Sequence, residues 1–441
     1  MNITLAKILL SAVFAGTLAV PAAFAVNPSE PDAETVEILT GEVVIPDEAT
    51  DIDIAIPSFI HRNANHIILN GADWSQLRNA FLASGDRPVS IVHIGDSHVQ
   101  ADISSGTTRE LLQYDFGNAG RGLVSPLKMS GTNQPNDYVF QSRNSWNPVK
   151  LMSPTWRQTM GFTGTSIRPM TASAEITIGT SDRDDYDPFR SLTLFHNGSL
   201  TVKSVTSGSG EKLDFRAIPS HDYTQIMLPS PQTHVTIDFT SAGDLTVYGA
   251  MLSGDRPGLF YHAIGNNGAA YETYNRIGNV GAGIAPLSPD LIIISLGTNE
   301  AFGKLNTTSF KNSVDRLVKN IRAANPDALL LLTTPMECHR SVATTRKVRV
   351  KGKNGKRRTV NRTSRSYSVN PNIAPLRNVI LDYGKEHGIA VYDWYEVAGG
   401  RGASSSWISN KLFAKDRVHH TVKGYNIEGR LLYDALMDAL R

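Results

Sequence analysis

The chain has 441 residues, 41% of them apolar and 19% charged, with 36 Gly and 22 Pro. That balance excludes collagen-like, coiled-coil and wholly disordered classes. Its 43 Lys/Arg against 41 Asp/Glu nearly cancel, and the one long apolar stretch lies at the start, which excludes a polytopic membrane protein. The single cysteine, Cys338, can make neither an intrachain disulfide nor a thiolate zinc cage, and reads as a small buried apolar side chain.

The first 25 residues read as an export signal. Lys7 gives a positive start, Ile8 to Val20 an apolar core, and Ala23-Phe24-Ala25 an A-x-A cleavage site. Cleavage is expected after Ala25, with no cysteine behind it to take a lipid, so the product is expected in the periplasm without an integral membrane segment. Residues 26–58 carry nine carboxylates and no Lys or Arg, the composition of a solvated acidic linker.

From Phe59 to about residue 128 the chain alternates apolar runs with helical periods. Trp74, Leu77 and Phe81 mark a helix that stops before Gly85, and Val89 to Ile94 (VSIVHI) reads as a buried strand. Residues 129–256 have a different texture. Short alternating segments such as AEITIGT, SLTLFH, THVTIDF and DLTVYGA, separated by Asn197-Gly198 and Gly208-Ser209-Gly210, predict an inserted all-β sandwich. From residue 257 to 441 the first texture returns. Gly258 to Ile264, Leu291 to Leu296, Leu329 to Leu332 and Ile389 to Tyr392 predict further buried strands, and Phe310, Val314, Leu317 and Ile321 a helix between them. A last helix is expected from Thr421. The whole predicts an α/β fold, a doubly wound parallel-sheet sandwich interrupted by a β module.

Residues 340–365 break the second α/β part with eleven Lys/Arg and no acid. So many charges are too costly to bury. The run is expected to project as a basic surface hairpin turning at Asn354-Gly355, either as a solvated excursion or as an electrostatic attachment to an anionic wall polymer.

Four short motifs carry the chemistry. Gly95-Asp96-Ser97-His98 follows the strand VSIVHI and would present the Ser97 hydroxyl at its carboxyl end. Asp416-Arg417-Val418-His419 offers an imidazole and a carboxylate from one loop, the pair that turns a hydroxyl into a nucleophile. Gly265-Asn266-Asn267-Gly268 and Gly297-Thr298-Asn299-Glu300 each end a predicted strand. The Gly268 N–H and the Asn299 amide are the kinds of donor that stabilise an oxyanion. Taken singly, each motif is an ordinary turn or cap. In an open parallel sheet, however, all loops leaving the carboxyl ends lie on one edge, where ligands bind.

The order Gly-Asp-Ser, Gly, Gly-x-Asn, Asp-x-x-His resembles the four blocks of the SGNH (GDSL-type) hydrolases. That resemblance implies Ser97 as nucleophile, His419 as base, Asp416 as its partner, and an oxyanion hole from Gly268, Asn299 and the Ser97 backbone N–H. The stretches IVHIGDSHVQADISSG and FGNAGRGLVSP, with a β module before the second block, resemble bacterial peptidoglycan O-acetylesterases. In that family the insertion is similar to carbohydrate-binding modules, and the substrate is the 6-O-acetyl ester of N-acetylmuramic acid in peptidoglycan glycan strands. The implied enzyme is an exported serine acetylesterase working through an acetyl-serine intermediate. It needs no cofactor and no metal, for which the twelve histidines show no ligand spacing. Export makes nucleic acid a poor partner. The alternatives are an SGNH esterase acting on another acylated polysaccharide or a lipid, and a non-catalytic wall-glycan-binding protein, which a fully effective Ser97→Ala variant would favour.

Overall fold

The computed structural model describes residues 54–180, 188–351 and 356–441. The export signal, nearly all of the acidic linker and the Asn354-Gly355 turn lie outside them.

The central sheet has six strands in the order Ile67–Ile68, Ala390–Tyr392, Leu329–Thr333, Leu291–Ser295, Val89–Gly95, Leu259–Gly265. All pairs are parallel except the outermost, where Ile67 opposes Tyr392 antiparallel. Val89–Gly95 is buried along its whole length, so the near-continuous apolar runs belong to strands covered on both faces. Helix Ser104–Phe116 packs on Val422–Ala439, while Thr307–Ala324 packs on Ile373–His387. The spacing of Phe310, Val314, Leu317 and Ile321 puts all four on the buried side of Thr307–Ala324. Thr421 caps the last helix, its hydroxyl accepting from the Gly424 N–H.

Strand order matters for the site. From Val89–Gly95 the chain goes next to Leu259–Gly265 on one side, then returns to Leu291–Ser295 on the other. The order reverses at Val89–Gly95, and a crevice forms beyond the carboxyl ends at such a point.

The middle of the chain forms an antiparallel sheet of ten strands. It is built on two long strands, Phe189–Ser207 and His234–Ser253, in place of the several short ones that the sequence suggests. Register shifts between Asp238 and Phe239, Ala242 and Thr246, and Val247 and Gly249 let these strands continue through bulges. Asn197-Gly198, read as a turn, sits inside one of them. The Asn197 side-chain oxygen accepts the Thr246 N–H at 2.9 Å, which satisfies a donor that the bulge takes out of the ladder. Gly208–Gly210 does turn the chain, into the short strand Lys212–Leu213.

The sheet begins ahead of residue 129, with Gly122–Val124 paired to Ala250–Leu252. It has its own core around Ile176, Leu194, Ile237 and Val247. Leu123, Leu151, Phe162, Phe195 and Tyr248, however, belong to the core of the α/β layers. The antiparallel sheet therefore shares packing with the parallel one. The basic run forms a separate two-stranded ribbon, His339–Lys351 paired with Arg357–Val369. Among the described residues no helix is long and apolar enough to cross a membrane.

Candidate active site

Ser97 begins a one-turn helix at the end of the reversal strand. Gly95 and Gly265 are neighbours in parallel register, and a Cβ on Gly265 would fall 2.0 Å from the Gln100 backbone nitrogen. Glycine alone lets this helix sit so close to the adjoining strand. Asp96 caps the turn, its Oδ1 accepting the His98 N–H at 2.9 Å.

The Ser97 Oγ lies 2.7 Å from His419 Nε2, and His419 Nδ1 lies 2.7 Å from Asp416 Oδ2. Asp416 Oδ1 also accepts the backbone N–H groups of Val418 at 2.9 Å and His419 at 3.0 Å. Burial opposes the charge on Asp416, but the bond from His419 and the two backbone donors prevail and hold the carboxyl down at about 2. An ionised carboxylate only accepts. The proton between the two residues therefore belongs on Nδ1, and Nε2 is left with a lone pair for the Ser97 hydroxyl.

His98 packs against the other side of this imidazole, with ring centroids 5.3 Å apart, and its Nδ1 meets the Tyr425 hydroxyl at 3.1 Å. Burial first, then His419 and His420, push His98 well below the ordinary imidazole range, so it packs as a neutral ring. His420 turns away and stacks on Trp407 at 4.7 Å. Of the adjacent histidines, only His419 reaches Ser97.

Gly268 and Asn299 follow the two strands that flank the reversal strand, so both loops stand beside Ser97. The backbone N–H groups of Ser97 and Gly268 have no acceptor among the described residues. Gly268 has φ +78°, a conformation that a side chain would strain. The Asn299 amide is engaged, donating to Asp96 Oδ2 at 3.1 Å and to the Ala269 carbonyl at 2.9 Å.

Several residues around the site escape motif reading. Gln100 Oε1 accepts the Asn267 N–H at 2.6 Å, and its Nε2 donates to the Asn133 side chain at 2.6 Å, tying the Gly268 loop to the helix that Ser97 begins. Arg276 donates to the carbonyls of Leu151 at 3.1 Å and Ser153 at 2.9 Å and lies 4.4 Å from the Trp156 ring. That pins a loop of the antiparallel sheet region to the helix that follows the Gly268 loop. Met152 of this loop is 44% exposed, and a Cβ on Gly268 would lie 3.4 Å from its Cε. Just after the helix that Ser97 begins, Asp102 binds both Arg109 at 3.0 Å and Arg121 at 2.6 Å. Burial alone would raise the Asp102 pKa, but the two guanidinium groups win and lower it. The IVHIGDSHVQADISSG and FGNAGRGLVSP stretches supply Asp102 and Arg121 to this buried network.

Residues 240–427 match the family model of the GDSL-like lipase/acylhydrolases. The chain carries a GDSL-type hydrolase domain. It is a carboxylic ester hydrolase. The match takes in Gly268, Asn299, Asp416 and His419. Ser97 lies ahead of it, because the antiparallel strands separate the first block from the rest. The GDSL-type domain and those strands together share their fold with a peptidoglycan O-acetylesterase, at 20% identity, a TM-score of 0.67, and coverage of 85% of this chain and 99% of that one. A carbohydrate esterase family 2 enzyme with a carbohydrate-binding domain, from Corynascus thermopiles, matches at 13% identity over 67% of this chain and 99% of its own, with a TM-score of 0.27. No curated protein matches the chain.

Proposed function

We propose that this protein is an exported serine esterase that removes O-acetyl groups from peptidoglycan, at the 6-hydroxyl of N-acetylmuramic acid. The observation that carries the reading is the continuous hydrogen-bonded chain Ser97–His419–Asp416, at 2.7 Å for each link. The fold shared with a peptidoglycan O-acetylesterase over 85% of this chain supports the substrate class.

Ser97 Oγ attacks the acetyl carbonyl carbon while His419 Nε2 takes its proton. Asp416, ionised down to about pH 2, stabilises the resulting imidazolium. The unpaired N–H groups of Ser97 and Gly268 receive the oxyanion. Asn299 joins them when the substrate oxygen replaces one of its present acceptors, Asp96 or Ala269. The imidazolium then protonates the departing sugar oxygen, leaving an acetyl-serine. Water, deprotonated by His419, attacks that ester, and collapse of the second oxyanion releases acetate and restores Ser97.

In the same reading residues 1–25 direct export to the periplasm, and 26–58 form an acidic tether. Residues 59–128 and 257–441 form the hydrolase, and 129–256 a carbohydrate-binding-module-like insertion that seats the glycan. The test is acetate release by purified protein from O-acetylated peptidoglycan, compared with chemically de-acetylated peptidoglycan. Release from the first alone is expected. No release from O-acetylated peptidoglycan, with a small acetyl ester still hydrolysed, would overturn the substrate assignment.

A further inference from the structure

The basic ribbon is an odd structure for a protein to keep. Its two strands are 13 residues each, long enough to extend about 40 Å at 3.3 Å per residue, and among the described residues no third strand joins them. A lone two-stranded ribbon is marginal in water. Here the register makes it worse: Arg346 stands directly opposite Arg362, and Lys351 opposite Arg357. Like charges paired across strands destabilise. Neither strand contains an acid, and their distal cations are exposed on both faces. The ribbon also lacks Leu, Ile, Phe and Trp, the side chains that would seat it in a lipid surface.

Its root is tied to the candidate site. The His339 N–H donates to the Arg417 carbonyl at 3.0 Å, and the Arg417 guanidinium lies 4.4 Å from the centre of the Tyr367 ring. Arg417 sits between Asp416 and His419 with φ +61°. The root of the ribbon is thus fastened against the loop that carries the imidazole and its carboxylate partner.

We propose that the ribbon is a docking arm for a carboxylate-rich polymer, the stem peptides of peptidoglycan, and that it holds the polymer beside the active site. The partner assignment rests on the peptidoglycan reading above. Guanidinium groups spaced along an extended strand pair with successive carboxylates, and the polymer's charge relieves the repulsion built into the register. Attachment of this kind weakens with salt, since exposed charges are screened within about 10 Å at 0.1 M.

The test compares the full chain with a variant in which Arg346, Lys347, Arg349, Arg358 and Arg362 are all changed to Gln. Glutamine keeps a polar, unbranched side chain without the charge and removes the Arg346–Arg362 repulsion, so thermal stability is expected to hold or rise. Co-sedimentation with insoluble peptidoglycan at low salt should fall by about tenfold or more in the variant. The KM for polymeric substrate should rise, with kcat and small-ester turnover unchanged. Wild-type binding should also drop when the stem-peptide carboxylates are amidated, and persist on de-acetylated peptidoglycan. Equal sedimentation of both proteins across a salt series, or undiminished binding to amidated peptidoglycan, overturns the proposal. So does tighter binding of the wild type to phosphatidylglycerol vesicles than to peptidoglycan. Binding is read separately from acetate release, so a failed acetylesterase assay and a failed docking arm give different patterns.

Discussion

The side-chain amide of Asn299 donates to the carboxyl of Asp96, joining the end of the Leu291–Ser295 strand to the residue immediately before Ser97. Asp96 is fully buried, and burial pushes its pKa up to about 7 against the pull of the His98 N–H. One residue therefore both caps the helix that Ser97 begins and orients the Asn299 amide, the third donor of the proposed oxyanion hole. Asp96→Ala is expected to lower kcat on a small acetyl ester by about tenfold, with little change in KM, and Asn299→Ala by on the order of a hundredfold. Wild-type kcat in the Asn299→Ala protein would remove it from the oxyanion hole.

Ser97→Ala and His419→Ala should each reduce turnover by about 10⁴-fold or more while leaving circular dichroism unchanged. Asp416→Asn should leave more activity than either, because an amide keeps a polar partner at Nδ1 but cannot balance the imidazolium charge. Acetate release from small and polymeric esters measures all three. A Ser97→Ala enzyme with wild-type turnover would require another nucleophile.

Arg276 acts at a distance. It fastens the loop whose Met152 stands beside Gly268, so Arg276→Ala should let that loop move. The expected result is a fall in kcat/KM of about threefold to tenfold, with Met152→Ala giving a smaller loss. Steady-state kinetics with acetyl and butyryl esters would show whether the loop limits acyl size: both variants should gain relative activity on the longer chain.

Glu428 gives a pH prediction. It is partly buried beside His420, at 3.4 Å, and the loss of solvent around it raises its pKa from 4.5 to about 8. The native state holds this proton where the unfolded chain has lost it. Its contribution to stability is complete below about pH 4.5 and disappears as pH rises through about 8. Glu428→Gln cannot ionise, so its Tm should exceed that of the wild type by about 2 °C or more near pH 9. Near pH 5 the two melting curves should nearly coincide. A variant less stable than the wild type at the higher pH would mean that Glu428 is held as a carboxylate.

The parallel strands and the helix at Thr307–Ala324 were legible in the residues themselves, because their apolar periods reflect burial on two faces or on one, which is a local pattern. The antiparallel region was read less well. Asn197-Gly198 has turn chemistry, yet it sits in a bulge of a 19-residue strand, because the partner strand and the Thr246 N–H were available only in three dimensions.

The same division holds at the site. The sequence by itself determined the chemical parts, a serine after a buried strand, an Asp-x-x-His turn and two donor loops. Only the tertiary structure decided how they meet. The chain reverses at Val89–Gly95, which brings the Gly268 and Asn299 loops to either side of Ser97, and the C-terminal loop delivers His419 to 2.7 Å from its hydroxyl. It also added Gln100, Met152, Arg276 and the Asp102–Arg121 pair. Their partners stand 19 to 167 residues away in the chain, and no local pattern encodes a contact whose geometry depends on how distant strands and loops pack.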